Sequence, residues 1–380
     1  DKNRKRRKGG RIMANEKKNH EPLFHIVKRS SAPLKLSIPV RIGAVVLAFL
    51  VCTLIVVLMT GRSPVDFFTS MVEGMAKTSR RFWIFLYKTA TLLCVALALT
   101  PAFKMKFWNI GGNGQALIGA LSTTAIMFYF GGKIPNGLLW AFMLVASLVS
   151  GMIWAVLPAI FKAKWNTNET LFTLMMNYIA VQAVEACITI WAPNGSGKLQ
   201  PMNAYALPQI ENKWFLSILV VVLVTVLMFV YLKFSKHGYE ISVVGESRNT
   251  ALYIGINVKK VIIRTMLLSG AICGLVGFLI VGGVDCTISP TDTIGSIGFT
   301  AILVSWMAKF NPLLMVLTSA LVSFLEVGTT QVATGFKIDG SISDIVTAIV
   351  LLFVVGSEFF VNYKIMFRHS SKEVSDRGYH

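Results

Sequence analysis

Apolar stretches separated by short polar segments fill the chain from residue 39 to residue 364. A helix needs about 20 apolar residues to cross the hydrocarbon core of a bilayer. Stretches of about this length lie near 40–60, 82–103, 109–130, 136–161, 170–192, 214–234, 261–283, 312–330 and 342–362. A shorter segment, 295–308, is interrupted by glycine and serine. The pattern predicts an all-α polytopic membrane protein with about ten transmembrane helices.

Glycines and amides mark where these helices are interrupted or closely packed. The span that opens with Asn109 reads NIGGNGQALIGA, and lipid tolerates such a broken helix only against protein or a water-filled cavity. Its Ile110-Gly111-x-x-Gly114 segment is echoed by Ile294-Gly295-x-x-Gly298, at the mouth of a span that runs in the opposite direction. The echo predicts interrupted helices related by an inverted repeat. In span 261–283, a glycine ridge (Gly270, Gly274 and Gly277) predicts close contact with another helix.

The composition agrees with this picture. Apolar side chains make up 54% of the chain and charged ones only 14%, which excludes an ordinary soluble globular protein. A net charge of +19 would suggest nucleic acid as the partner of a soluble protein. Here the basic residues lie mainly in the N-terminal tail and in short loops between spans, so we expect the lipid bilayer, and no nucleic acid, to be their partner.

The distribution of basic residues also predicts the orientation. If both termini are cytoplasmic, about 28 of the 37 Lys and Arg lie on the inner side. This gives a basic cytoplasmic N-terminal tail (1–38), a transmembrane domain (39–364) and a cytoplasmic C-terminal tail (365–380). Met13 is a plausible natural start, in which case residues 1–12 are an upstream extension.

The largest polar insert between spans, 235–260, is expected to face the cytoplasm because it is rich in Lys and Arg. Arg248 to Leu252 is predicted to form a short helix, with Gly255 as its C-terminal stop. An insert of this kind is well placed to meet a soluble protein.

Polar side chains within span 170–192 have two possible explanations. Asn177, Gln182 and Glu185 each cost several kcal/mol in lipid unless they face a cavity or a partner. They line a solute path or form hydrogen bonds with neighbouring helices, and the pattern alone does not decide between these.

Catalytic and metal-binding sites are not indicated. The cysteines form no C-x-x-C pair, and the histidines lie in tails or loops. The segment APNGSGKLQ resembles a phosphate-binding loop, but Ala192 replaces the first glycine and Leu199 replaces the residue that would hold magnesium. We therefore expect no catalytic residues, no metal site and no cofactor in this chain.

Four segments resemble the permeases of ABC importers in the branched-chain amino acid, ribose and nucleoside group. They are N-I-G-G-N-G-Q from Asn109, N-E-T-L-F-T-L-M-M-N-Y-I-A from Asn168, the segment Gly245 to Val258 with its G-I-N-V end, and G-F-T-A-I-L-V from Gly298. Ser247 and Arg248 stand where Asn-Pro is common in this group. The first two segments are most similar to the nucleoside branch.

The resemblance implies a permease subunit in the cell membrane of a prokaryote. It implies a separate cytoplasmic ATPase that binds ATP and Mg, a membrane-anchored or extracytoplasmic solute-binding protein, and a second, related permease subunit. Nucleosides are the implied solute, with ribose, other simple sugars or branched-chain amino acids as alternatives. An ion-coupled secondary transporter is the alternative from another class, because Glu185 and Glu326 could serve as coupling sites.

Two sets of functional residues follow from the resemblance and from side-chain chemistry. Amides can exchange hydrogen bonds with ribose hydroxyls and base edges, and aromatic rings can stack on a base. The predicted substrate-path residues are Trp108, Asn109, Asn113, Gln115, Asn177, Tyr178, Gln182 and Phe299. The residues predicted to couple the chain to the ATPase are Gly245, Glu246, Arg248, Asn249, Ala251, Gly255 and Ile256.

Overall fold

The computed structural model describes residues 24–29, 34–192 and 199–367. Most of the predicted tails and residues 193–198 of the segment that resembles a phosphate-binding loop lie outside these ranges. The chain divides into two compact units, one formed by Asp1–Cys52 with Ile349–His380 and the other by Thr53–Ala348.

Apart from two short strands, the regular secondary structure of the described residues is helical. In chain order the elements are β1 (Phe24–Lys28), α1 (Leu34–Thr60), α2 (Pro64–Ala76), α3 (Ser79–Lys104), α4 (Gly112–Phe130), α5 (Asn136–Trp165), α6 (Glu169–Trp191), α7 (Phe215–Phe234), α8 (Lys236–Glu246), α9 (Arg248–Tyr253), α10 (Val258–Ile280), α11 (Ile297–Met307), α12 (Pro312–Phe336), α13 (Ser341–Asn362) and β2 (Tyr363–Phe367). Each of the ten predicted apolar stretches coincides with one of these helices.

Eight of the helices in the described part are long and apolar enough to cross a membrane. The other two predicted stretches are α4, with 19 residues, and α11, with 11. At 1.5 Å per residue α11 extends only about 17 Å, roughly half the hydrocarbon core. Gly295, just before it, has a φ of 54° that favours glycine. The predicted interruption of this span is therefore confirmed.

In the first unit, the end of the predicted N-terminal tail pairs with the residues that follow α13. Strands β1 and β2 are antiparallel, with Phe24 opposite Phe367. An ion pair of 2.5 Å joins Arg41 on α1 to Glu358 on α13. The two strands were not predicted, because each has only five residues and their pairing joins segments more than 330 residues apart.

Helix α10 is the centre of the second unit, and its glycine ridge makes the predicted contacts. A Cβ atom on Gly270 or Gly274 would collide with the backbone of α5, at Gly151 and Ser147 respectively. A Cβ atom on Gly277 would collide with the backbone of α4. Helices in lipid associate through such close packing, so this ridge holds α4 and α5 against α10.

Candidate functional site

The N-termini of α4 and α11 meet within the second unit. Oδ1 of Asn113 accepts a hydrogen bond of 2.6 Å from the backbone N of Gly298. A Cβ atom on Gly298 would lie 2.5 Å from Oδ1 of Asn113 and 2.7 Å from its backbone N, so only glycine fits. This junction brings together the two Ile-Gly-x-x-Gly segments found in the sequence. The prediction that the interrupted helices are partners is confirmed as a contact.

Behind the junction, the buried amide side chains of Asn109 and Gln115 form a hydrogen bond with each other. Asn109 is fully buried, and its Nδ2 donates a hydrogen bond of 3.2 Å to Oγ of Ser269 on α10. Its Oδ1 accepts hydrogen bonds from Nε2 of Gln115 at 3.1 Å and from the backbone N of Gly111 at 3.0 Å. These bonds fix the segment before α4 against α10. The structure gives Asn109 and Gln115 a packing role, and contact with a solute stays a prediction.

Asn177 connects α6 to the start of α4. Its Oδ1 accepts a hydrogen bond of 2.8 Å from the backbone N of Gly114, and its Nδ2 donates one of 3.0 Å to the carbonyl O of Ile110. Of the two explanations considered for this residue, bonding to a neighbouring segment is the one observed. The start of α4 is thus held by α6 on one side and by α11 on the other.

The remaining predicted path residues flank this junction with exposed side chains. Trp108 and Phe299 are each 44% exposed, and Asn113 is partly exposed. The rings of Trp108 and Trp306 lie 5.2 Å apart between centroids. Tyr178, next to Asn177 on α6, is also exposed.

Helix α6 carries a polar stripe on its outward face. Tyr178, Gln182 and Glu185 are spaced four and three residues apart, and all three are exposed. The Glu185 carboxylate makes no hydrogen bond or ion pair with any residue in the ranges that the structure describes. Since an ionisable group facing lipid is unfavourable, this stripe requires a polar cavity or another protein beside it.

A polar cavity of about 360 Å³ lies beside the start of α11. An ion pair of 2.6 Å between Lys88 of α3 and Glu326 of α12 forms part of its wall, with Thr91, Asp285 and Thr300 also lining it. Lys88 was missed in the sequence analysis. A lysine within one span and a glutamate within another could have indicated this ion pair, because charged side chains within membranes are usually paired.

On the opposite end of the unit, the predicted short helix is confirmed as α9. Oγ of Ser247 caps it by accepting a hydrogen bond of 3.2 Å from the backbone N of Thr250. Gly255 follows with a φ of 82°, a conformation that suits a glycine stop. The α8 to α9 segment therefore has a defined shape between spans α7 and α10.

The predicted coupling residues divide into anchors and exposed groups. Gly245 packs against the backbone of Lys104 so closely that a Cβ atom would collide, and Ala251 is fully buried. Ile256 packs against a buried apolar cluster that includes Ala251, Met105 and Val258. The exposed residues of the set are Glu246, Arg248, Asn249 and Gly255.

An exposed apolar triplet at the end of α9 was not predicted. Leu252, Tyr253 and Ile254 are all exposed, and Tyr253 reaches 92%. The signal was present in the sequence, since three consecutive large apolar residues precede the glycine stop in a segment that is otherwise polar.

The protein family described as the branched-chain amino acid transport system / permease component matches residues 82–355. The chain belongs to this family. The match includes the α4–α11 junction, the cavity with the Lys88–Glu326 pair, and α9.

Three relatives show the range of permeases to which the chain is similar. The guanosine ABC transporter permease protein NupP of Bacillus subtilis is 29% identical over 269 residues, which cover 69% of this chain and 77% of that protein. The glucose ABC transporter permease protein TsgB13 of Haloferax volcanii is 26% identical over 296 residues, 74% of this chain and 77% of that protein. The nucleoside ABC transporter permease protein NupB of Lactococcus lactis is 26% identical over 330 residues, 82% and 88% of the two chains.

As a member of this ABC permease family, the protein is a multi-pass membrane component of a transporter and not its catalytic subunit. The family implies an ATPase and a solute-binding protein as partners. Because the chain belongs to this family, the alternative of an ion-coupled secondary transporter is rejected. The two glutamates that supported that alternative differ, because Glu326 is paired with Lys88 and Glu185 lies on the exposed stripe of α6.

Proposed function

We propose that the protein is the permease subunit of an ABC importer for nucleosides. Similarity to NupP and NupB over most of the chain is the observation that carries the proposal. The residues around the α4–α11 junction add chemical support, because exposed aromatic rings can stack on a base and partly exposed Asn113 can exchange hydrogen bonds.

A simple sugar is the second candidate solute. The similarity to the glucose permease TsgB13 favours it, and sugar hydroxyls would use the same amide and hydroxyl groups as the ribose of a nucleoside. A nucleoside would in addition stack its base on the aromatic rings of Trp108, Tyr178 or Phe299, and a simple sugar has no base.

The proposed path runs along the face that carries the α4–α11 junction and the polar stripe of α6. Trp108, Asn113, Tyr178, Gln182 and Phe299 border it in the described part of the chain. This face is open in a single chain, so a second permease, related to this one, would close it. The buried amides Asn109, Gln115 and Asn177 would hold the wall in shape.

The proposed contact with the ATPase is the cytoplasmic surface of α9. Leu252, Tyr253 and Ile254 would enter an apolar groove of the ATPase, with Glu246 and Arg248 at the polar rim. ATP and Mg would then bind and react on that separate subunit, and movement would reach the path through α8 and α10.

The proposed orientation places both termini in the cytoplasm of a prokaryotic cell. Asn203 is exposed in the loop before α7, and Thr250 is exposed on α9. In a background without native cysteines, Asn203→Cys should react with an impermeant thiol reagent in intact cells, and Thr250→Cys only after permeabilisation. Labelling of Thr250→Cys in intact cells would contradict this orientation.

The solute is tested with membrane vesicles that contain the complete complex. ATP-dependent uptake of labelled guanosine should be inhibited by excess unlabelled adenosine and not by glucose, ribose or leucine. Vesicles without ATP provide the background. Uptake of labelled glucose or leucine that nucleosides do not inhibit would contradict the assignment of nucleosides while leaving the permease function intact.

A further inference from the structure

A small basic pocket lies between α8 and the first turns of α10. Its volume is about 220 Å³, and its wall includes Lys236, His237 and Glu240 from α8 and Lys260 and Arg264 from α10. None of these residues belongs to the predicted path or coupling sets. The pocket therefore needs a separate explanation.

Basic side chains outnumber acidic ones in the wall of this pocket. The only acidic side chain in its wall, Glu240, already forms an ion pair of 2.7 Å with Arg264. The hydrogen bond from Arg264, with smaller contributions from the charges of His237 and Lys236, holds the pKa of Glu240 below its usual value. In the described part of the chain, neither Lys236 nor Lys260 forms an ion pair with an acidic side chain, because Glu240 pairs with Arg264.

The position of the pocket restricts what can neutralise these two lysines. The apolar span α7 ends at Phe234, two residues before Lys236, and the span that includes α10 begins at Val258. Phe234 is largely exposed, as expected of a side chain at a lipid boundary. In the proposed orientation the pocket opens where the hydrocarbon core meets the cytoplasmic headgroups.

A phosphate group suits this geometry better than a carboxylate. It carries charge on several oxygens that can accept hydrogen bonds from Lys236 and Lys260 at the same time. Both helices also begin at the pocket, which places the positive ends of their dipoles beside it. One backbone N–H in each first turn is already bonded to a cap, at Ser235 and Asn257, so the lysines supply the main contacts. Basic pockets between transmembrane helices on the cytoplasmic side commonly bind lipid headgroups for these reasons.

We infer that this pocket binds a phosphate group, supplied by the headgroup of an anionic phospholipid or by a free phosphate ion. Bound there, the phosphate would draw α8 and α10 together on the two sides of α9. The state of the membrane or of the cytoplasm would thereby influence the position of the surface that we propose for the ATPase. This site is distinct from the solute path and from that surface.

The test measures binding, so that it does not depend on transport. The protein is reconstituted in phosphatidylcholine nanodiscs with increasing phosphatidylglycerol, and its thermal unfolding is followed. Phosphatidylglycerol should stabilise the wild type saturably, and the double variant Lys236→Gln/Lys260→Gln should weaken this response by about tenfold or more. Lys259→Gln is the matched control, because Lys259 is exposed next to the pocket but is not part of its wall.

A second series uses inorganic phosphate in pure phosphatidylcholine. If inorganic phosphate stabilises the wild type and the Lys236→Gln/Lys260→Gln variant weakens this stabilisation, free phosphate is the source. If only phosphatidylglycerol stabilises the wild type in this way, the lipid headgroup is the source. Equal weakening by Lys259→Gln would reveal attraction to surface charge alone and would overturn the inference. A wild type that responds to neither phosphate would overturn it as well. All variants should unfold at the same temperature in phosphatidylcholine alone, which shows that the substitutions do not disturb the fold.

Discussion

Replacing Tyr253 with aspartate should separate the protein from its ATPase. Tyr253 is 92% exposed at the end of α9, so the substitution removes no packing within the chain. Tyrosines at the centre of an interface often contribute 2 kcal/mol or more to binding, and an aspartate would have to be desolvated in the same place. We expect affinity for the ATPase to fall by roughly 30-fold or more and ATP-dependent uptake to be lost. Co-purification in mild detergent and uptake by vesicles measure the two effects.

Tyr239→Asp is the matched control for this experiment. Tyr239 is an aromatic residue on the neighbouring α8 and is 62% exposed, so it tests whether any exposed tyrosine in the α8–α9 segment has the same effect. Binding and uptake should be close to normal in this variant. Equal losses in both variants, or normal binding by Tyr253→Asp, would contradict the assignment of the surface to α9.

Local signals in the sequence were sufficient to predict α9. The glycine stop at Gly255, which was predicted, and the cap at Ser247, which was not, both depend only on residues within the segment. The roles of Gly245 and Ala251 were not predictable in this way. They face the body of the protein because Gly245 packs against Lys104, which is 141 positions earlier in the chain. A linear pattern contains no information on such a contact.

In the transmembrane domain too, local sequence predicted some features, while others depend on contacts between distant residues. Hydropathy and length predicted all ten apolar helices, and the small residues of α10 predicted its close packing. The amides at Asn109, Gln115 and Asn177 were predicted to contact solute because their chemistry suits ribose. The same chemistry suits backbone groups at a broken helix, and the structure shows Asn109 and Asn177 bonded to such groups and Gln115 bonded to Asn109. Which of two suitable partners an amide meets depends on tertiary structure.

The distribution of exposed polar groups favours a path between two chains over a path within one. The stripe of Tyr178, Gln182 and Glu185 faces outward, and so do Trp108 and Phe299 beside the junction. A channel enclosed by this chain alone would have such groups turned inward. The open face and the junction are separate observations, and both support a solute path between this chain and a second permease.

Replacing Gly298 with alanine should strongly reduce transport by breaking the α4–α11 junction. The added Cβ atom would lie 2.7 Å from the backbone N of Asn113, so a side-chain rotation cannot relieve the contact and the backbone at the junction must shift. Overpacking of this kind costs about 1–3 kcal/mol, and separation of the helices would also lose the hydrogen bond between Asn113 and Gly298. We expect uptake to fall by at least about tenfold, with the thermal stability of the protein reduced.

Gly335→Ala is the control for the change of residue type. Gly335 lies in α12, and a Cβ atom there would have no neighbour within 4 Å. Alanine is favoured over glycine within a helix, so this variant should keep its uptake and at least its normal stability. If Gly298→Ala transported as well as Gly335→Ala, the ends of α4 and α11 could not be in the close contact that defines the proposed path, and the functional role of the junction would have to be abandoned.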